Sequence, residues 1–188
     1  SDYEETPNLE LVKLAPYSVK GFNCGNHKHF LEGKNFISAN WACEKEILLE
    51  SGGFDTAKGL NPASKTLITG EEVDLMQRLR QRGYKALYLP GARIKHYVPA
   101  SKCTLKHIAS RVEAFSVEKI TASCLHHKEQ IFQKIPMIAT TLAKSVVKLT
   151  LDKIQGKKDS TGYINFRRGI GYLRGVKASL IHKGEGVC

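Results

Sequence analysis

The sequence predicts an α/β domain that continues into a basic helical region. In the first hundred residues, helix-like and strand-like segments alternate, and a glycine pair, single glycines and a proline–glycine turn separate them. Beyond residue 100, apolar residues recur every three or four positions, which is the spacing of amphipathic helices. We therefore expect two regions, residues 1–100 and residues 101–188, in a chain long enough for one domain with an appended segment.

The positive charge of the chain belongs to its second region. The formal net charge is +11; residues 1–100 contain 13 Lys and Arg against 12 Asp and Glu, whereas residues 101–188 contain 16 against 6. Such a field attracts anionic lipid, nucleic acid or an acidic substrate and says nothing about fold. The five scattered cysteines lack a Cys-x-x-Cys pair, which indicates free thiols in a reducing compartment.

The sequence contains no targeting or membrane-spanning segment by composition. No window approaches the roughly 18–20 apolar residues that a membrane span needs. The acidic, polar start SDYEETPNLE does not have the pattern of a signal peptide. We therefore expect a cytoplasmic location, with peripheral attachment to the cytoplasmic membrane face as the alternative, and a chain that is a fragment.

Three segments of the first region have clear local signals. The alternation in FISANWAC predicts a strand over Phe36–Cys43. A short helix is predicted over Glu44–Ser51, because two glycines follow it directly. The best-marked helix opens at the segment TGEE, residues 69–72, continues with an apolar stripe, and ends at Gly83.

Later segments complete the predicted order of elements. Two short strands are expected over Lys85–Leu89 and Ala92–Val98, with a Pro-Gly turn between them. Three helical stripes then follow. Pro136 is expected to interrupt the helical pattern between the first and second, and a polar loop over residues 156–162 precedes the third.

Three motifs between Asn35 and Thr104 follow one another in a fixed order: ISANWACEKEILLESGGFD, GEEVDLMQRLRQRGY and LYLPGARIKHYVP. This succession resembles the second half of family 2 glycosyltransferases, whose middle element usually reads Gly-Glu-Asp-x-Asp/Glu-Leu-x-x-Arg-Leu. A looser likeness continues through VPASKCTLKHIASR. The resemblance implies an acceptor-side fragment of the GT-A fold, the Rossmann-like fold of nucleotide-sugar transferases.

The resemblance also implies an activity and its partners. A complete enzyme would transfer a sugar, with inversion, from a nucleotide-sugar donor to the hydroxyl of a saccharide or lipid-linked acceptor, in envelope, exopolysaccharide or glycolipid synthesis. It would use a divalent metal, Mg or Mn. Such enzymes bind the nucleotide through an N-terminal βαβ half with an Asp-x-Asp motif, which this sequence does not contain. The chain is therefore expected to be inactive alone, whether that half was removed or another chain supplies it.

The resemblance assigns the catalytic base to the second acidic residue of the middle motif, here Glu72, and an orienting role to Glu71. Inversion needs one base that takes the acceptor proton as its oxygen attacks the anomeric carbon. The family usually has Asp where this chain has Glu72. A structural alternative exists, because Thr69-x-x-Glu72 is also a capping box in which Glu72 bonds to the backbone.

Four further residues are candidates for the site. By resemblance, Asn40 and Trp41 line the acceptor cleft, where Trp41 could stack on a sugar ring, although its apolar neighbours also favour burial. Asp74 is assigned to substrate binding, with a plain position on the helix surface or anchoring of a loop as the alternative. His96 is assigned to the metal or the diphosphate; a histidine on an apolar strand face is otherwise a core residue. Residues 55–68 are expected to form a lid.

The basic helical region could bind an anionic membrane surface or nucleic acid. Lys144, Lys148 and Lys153 flank the stripe over Ile138–Leu149, which suits a helix lying on an anionic membrane. The alternative to a transferase is a non-catalytic basic module that binds a membrane surface or nucleic acid. Nucleic acid is not the expected partner, since the sequence has no nucleic-acid motif or aromatic platform. The stripes could equally pack on the α/β region, with their charges solvated.

Overall fold

The computed structural model describes residues 1–56, 71–124, 129–158 and 160–181. The chain is mixed and mostly helical, with few strands. In chain order the elements are β1 (Asp2–Tyr3), α1 (Leu9–Leu14), α2 (Tyr17–Lys20), β2 (His29–Leu31), α3 (Lys45–Glu50), α4 (Glu71–Gln81), β3 (Ala86–Tyr88), β4 (Tyr97–Val98), α5 (Leu105–Cys124), α6 (Glu129–Ile154) and α7 (Thr161–Ile181).

The chain divides into two compact units. One, here called the helical unit, comprises Ser1–Gly21 and His96–Cys188, and the other, the motif unit, comprises Phe22–Lys95. The boundary near residue 96 lies close to the one predicted at residue 100, but the first 21 residues belong with the helices. The reason is physical: β1 pairs with β4 in parallel, and α1 packs on α5.

The core of the helical unit lies where α5 and α7 pack together with α1. Its fully buried members are small or aliphatic: Leu11, Ala15, Val19, Val98, Ile108, Ala109, Val112 and Ile164. Glycines let the two long helices approach closely, since a Cβ on Gly175 would lie 2.8 Å from the carbonyl oxygen of Val117. Close approach of this kind gives α5 and α7 a dense interface.

A buried carboxylate joins the same two helices. Glu113 of α5 is 4% exposed, and its two carboxylate oxygens accept hydrogen bonds from Arg167 and Arg174 of α7. A buried charge is tolerated when it is paired in this way. The arginines remain partly exposed, so α7 keeps positive charge at its surface.

α6 packs on α7 through a second cluster, and it continues without a break through Pro136. The predicted interruption is therefore wrong. Proline removes the amide that would bond to the carbonyl of Phe132, four residues earlier. Both Phe132 and Pro136 are exposed, so water can reach that carbonyl.

Asp152 stabilises the turn between α6 and α7, which lies in the polar segment predicted as a loop. Asp152 is 1% exposed, and its Oδ2 accepts from the hydroxyl of Ser160 at 2.7 Å and from the amide of Gly162 at 3.2 Å. Ser160 in turn caps α7 by accepting from the amide of Tyr163 at 3.1 Å. Lys148 pairs with the other oxygen, and these hydrogen bonds lower the pKa of Asp152 to about 2.

The described residues of the motif unit form a two-stranded antiparallel ladder and two helices. β2 pairs with β3, so that Phe30 lies opposite Leu87. The helix predicted over Glu44–Ser51 is confirmed as α3, with those two residues at its ends, and the next residues, Gly52 and Gly53, both have positive φ, as helix C-termini favour.

The best-marked helix of the sequence is confirmed as α4. Its predicted stripe of Leu75, Met76 and Leu79 is buried. It ends before Gly83, whose φ is +88°. The helix therefore forms where local signals, an acidic first turn and a glycine stop, agree with burial.

Two predicted strands are wrong in whole or in part. Residues 36–43 have no regular structure and turn instead, with the amide of Asn40 donating to the carbonyl of Ile37 at 3.0 Å. A strand needs a partner for its backbone groups, and in the described part of the unit β2 and β3 pair only with each other. Of the strand expected over Ala92–Val98, only β4 forms, because β1 offers two residues to pair with.

Candidate active site

The two carboxylates assigned to catalysis lie in the first turn of α4. Glu71 and Glu72 are both half-buried. Carboxylates are favoured in a first turn, where the helix carries free amides and a partial positive charge. The buried stripe continues the side of the helix on which Glu72 lies, because Met76 and Leu79 follow Glu72 by four and seven residues. Packing of that stripe therefore sets the rotation of α4 about its axis and, with it, the direction of the Glu72 side chain.

Two predictions at this end of α4 involve parts of the chain outside the described residues. The capping box requires Thr69, and the proposed lid covers residues 55–68, of which the structure describes the first two. Both stay predictions. The substitution of Glu72 set out below separates catalysis from capping.

Asp74 is engaged with an arginine of its own helix. Its Oδ2 accepts from Nε of Arg78, one turn later, at 2.9 Å. The substrate-binding role assigned to Asp74 stays a prediction. The hydrogen bond to Arg78 is a structural contact, because it orients the guanidinium of that arginine.

Arg78 binds the C-terminal end of α3. Its Nη1 donates to the carbonyl of Ser51, and its Nη2 donates to the carbonyl of Gly53 at 2.6 Å. Arg82, one turn further along, donates to the carbonyl of Glu50. The last carbonyls of a helix have no partner within it, so Arg78 of α4 and Arg82, which directly follows α4, complete α3. We call Arg78 and Arg82 the arginine clamp.

The clamp connects the first motif to the second. The carbonyls that the clamp binds belong to residues near the end of the first motif, ISANWACEKEILLESGGFD. Arg78 itself is the arginine of the Leu-x-x-Arg-Leu element in the second motif. Planar guanidinium suits this task, since it donates in several fixed directions at once. From the sequence alone, these arginines are basic residues near the end of a predicted helix. The spacing of four between Asp74 and Arg78 was the available signal.

Asn40 and Trp41 lie in the irregular segment that replaces the expected strand. Nδ2 of Asn40 donates to the carbonyl of Ala92 at 2.8 Å, which ties this segment to the stretch after β3. Trp41 is half-buried, and its ring meets that of Phe54 edge to face at 6.4 Å. Since no strand forms here, the alternating faces predicted for this segment do not exist. The cleft-lining roles stay predictions.

His96 belongs to the helical unit, unlike the other candidates. It precedes β4, and its carbonyl accepts from the amide of Asp2 at 2.8 Å. The expected shared face with Ile94 and Val98 is wrong, because Ile94 is exposed and Val98 is fully buried. The ring of His96 is half-buried and lies 3.0 Å from the carbonyl of Tyr97.

A divalent metal, as the resemblance implies, would need several ligands close together. Among the described residues, no three His, Cys, Asp or Glu side chains are grouped in a way that could hold one. His96 alone does not form such a site. The described part of the chain therefore does not by itself provide the ligands that such a metal needs.

None of the described helices combines the length and the apolar content needed to cross a bilayer. Comparison of the chain with models of protein families, with curated proteins and with solved structures finds no match.

Proposed function

We propose that this chain is the acceptor-side part of an inverting glycosyltransferase that resembles family 2, with a partial GT-A fold in its motif unit. The observation that carries the proposal is the half-buried carboxylate pair, Glu71 and Glu72, in the first turn of a helix whose inward face is packed. The order of the three motifs supports it. The complete enzyme would use a nucleotide-sugar donor and a divalent metal, Mg or Mn.

The proposed step requires one base from this chain. Glu72 takes the proton of the acceptor hydroxyl while that oxygen forms a bond to the anomeric carbon. The bond from the anomeric carbon to the diphosphate breaks, and its electron pair leaves with the nucleoside diphosphate. Glu71 orients the sugar or the acceptor, and Asn40, Trp41 and Asp74 contribute to the acceptor side.

The arginine clamp supports this proposal through rigidity. A base works only when it is held near the proton that it takes, since misplacement by about 1 Å can cost two orders of magnitude in rate. Arg78 fastens the end of α3 to the helix that carries Glu72. The two motifs are thereby held together as one body within the motif unit.

The test uses this chain extended by the upstream coding sequence, with a panel of nucleotide sugars and simple acceptors. Glu72→Gln should lower kcat by about two to four orders of magnitude and leave the melting temperature unchanged. Glu72→Asp restores the residue usual in the family and should stay active. Glu46→Gln, in the first turn of α3, is the matched control and should behave as the wild type.

Two results would contradict the proposal. If the extended protein neither transfers nor hydrolyses any nucleotide sugar, the transferase assignment fails. If Glu72→Gln lowers the melting temperature and leaves the turnover intact, the carboxylate is a helix cap, whose loss costs about 1 kcal/mol.

The second candidate is the basic module, which concerns the helical unit. It is favoured by the concentration of positive charge in residues 101–188. A submicromolar, salt-dependent affinity of the present chain for RNA or DNA would support the nucleic-acid form of this candidate.

A further inference from the structure

The helix α6 has apolar stripes on two opposite faces. The inward stripe, which includes Ile131 and Ile138, is buried in the contact with α7. The outward stripe was not noticed in the sequence. We call it the outer face of α6; it consists of Phe132, Ile135, Pro136, Ala139, Ala143, Val146, Val147, Leu151 and Ile154, all exposed.

The outer face is continuous along the helix. Its members recur three or four residues apart, and Phe132 near one end and Ile154 at the other are 75% and 76% exposed. Ala143, Val147 and Leu151 line a shallow depression near its middle. α6 makes its main contacts with α7, so in the described part of the chain no element covers this stripe. An uncovered apolar stripe of this length is typical of a surface that binds something.

The exposed charges that the structure describes around the outer face are all lysines. From residue 129 to residue 158 the sequence has six lysines and two acidic residues: Glu129, the first residue of α6, and Asp152, which is buried in the turn before α7. With about 100° of rotation per residue, Lys144 and Lys153 lie on opposite flanks of the stripe. Lys144 also lines the depression. Long lysine side chains in such positions can extend towards anionic groups while their stems stay on apolar surface.

The apolar stripe and its flanking lysines together indicate which kind of partner the outer face binds. A second copy of the chain would bring the flanking lysines of the two outer faces near each other, and like charges disfavour that contact. Nucleic acid rewards aromatic stacking and phosphate contacts, whereas the middle of this stripe is aliphatic. An anionic bilayer matches both features, since acyl chains accept the aliphatic side chains and lipid phosphates attract the lysines.

We propose that the outer face of α6 docks on the surface of an anionic lipid bilayer, with the helix lying in the plane of the interface. Aliphatic side chains enter the boundary between headgroups and acyl chains, and Lys144 and Lys153 contact lipid phosphates. The inference concerns the helical unit alone. It holds whether or not the transferase proposal survives, because vesicle binding requires no donor sugar and no catalysis.

The test measures co-sedimentation of the 188-residue chain with vesicles of phosphatidylcholine, either alone or mixed with an equal part of phosphatidylglycerol. Leu151→Glu should weaken binding to the mixed vesicles by about tenfold or more, as expected for loss of a buried leucine. Leu173→Glu is the matched control, since Leu151 and Leu173 are 47% and 46% exposed on different helices of one unit. The control should bind as the wild type does, and circular dichroism should show both variants folded.

The lysines are tested by a second variant. Lys144→Gln combined with Lys153→Gln should lower the affinity for mixed vesicles by about fivefold for each lysine, and leave the weaker affinity for neutral vesicles unchanged. High salt should reduce the difference between the two vesicle types.

Three outcomes would overturn the proposal. The first is equal binding to the two vesicle types, or none to either. The second is a loss for Leu173→Glu as large as for Leu151→Glu. The third is concentration-dependent dimerisation that Leu151→Glu abolishes while vesicle binding persists, which would make the outer face a contact between copies of the chain.

Discussion

The helical unit and the motif unit are held together by different kinds of contact. In the helical unit, helices pack through glycines and aliphatic side chains, and the buried carboxylates Glu113 and Asp152 are paired within that packing. In the described part of the motif unit, the buried apolar residues are few: Leu31, Leu75, Met76 and Leu79. Side chains that donate to backbone carbonyls, above all the arginine clamp, carry more of its structure.

The two units differ in buried, not in exposed, apolar side chains. The motif unit exposes Phe30, Leu49, Phe54, Tyr84, Leu89 and Ile94, and the helical unit exposes at least as many on α6 alone. Because local stability follows buried apolar contact, which is greater in the helical unit, we expect that unit to resist local opening more strongly than the motif unit.

The largest effect is expected at Gly171, in the middle of the helical unit. A Cβ at this position would overlap the carbonyl oxygen of Glu113 and lie 2.7 Å from Cβ of Ser116. Gly171→Ala should therefore force α5 and α7 apart and lower the free energy of unfolding by about 3 kcal/mol. Chemical denaturation followed by circular dichroism measures this.

Gly91→Ala is the control for that substitution. Gly91 has open space around its Cβ position and no positive φ, so its substitution should change little. An unchanged stability of Gly171→Ala would mean that the two helices are not packed as closely as described, and the contrast between the units would lose its main support.

A smaller, pH-dependent effect is expected at Asp152. Hydrogen bonds from Lys148, Ser160 and Gly162 lower its pKa from 3.8 to about 2 in the folded chain. The folded state therefore favours the charged form, and the stabilisation is present above the unfolded pKa and lost as the pH falls towards 2. Asp152→Asn should cost about 2 kcal/mol at neutral pH.

Denaturation series at several pH values test this assignment. The stability curves of the wild type and of Asp152→Asn should converge as the pH falls from about 4 to about 2. A constant gap across that range would show that the carboxylate charge does not hold the turn between α6 and α7.

The smallest effect is expected in the arginine clamp. Arg78→Lys keeps the charge but removes the planar fork that reaches Asp74, Ser51 and Gly53 together. The loss should be about 1 kcal/mol and should be confined to the motif unit. Hydrogen exchange would show faster opening around residues 50–53, with the amides of α5 and α7 unchanged.

Arg80→Lys provides the comparison for the clamp. Arg80 is half-buried on the same helix, and the structure gives it no hydrogen bond or ion pair with another described residue. If Arg78→Lys accelerates exchange in both units equally, the units do not open separately, and the distinction drawn between them is wrong.

Local sequence signals were sufficient for much of the fold. α3 and α4 were predicted close to their observed ends, because a glycine that adopts positive φ after an apolar stripe determines a helix end by itself. The strand at residues 85–89 was likewise predicted from a local signal, the Pro-Gly turn that follows it. The helical character beyond residue 104 was predicted from apolar residues three or four positions apart. In the candidate site, the placement of Glu71 and Glu72 in a first turn was likewise readable from the segment TGEE.

Other features depended on residues far away in the chain. Residues 36–43 have the alternation of a strand but find no partner strand, and Pro136 remains in a helix because its surroundings are open to water. The role of Arg78 depends on carbonyls 25 and 27 residues earlier. Periodicity alone could not show which side of α6 would be buried, since both sides are apolar.

Local signals were enough to locate the ends of α3 and α4, because those ends depend on backbone preferences within one or two turns. The sequence by itself also placed the positive charge in the second half of the chain. Tertiary structure alone decided which segments pair as strands, which carboxylates are buried and which face of α6 stays exposed. Pairing and burial are contacts between distant residues, and a free energy shared between two segments cannot be read from either one.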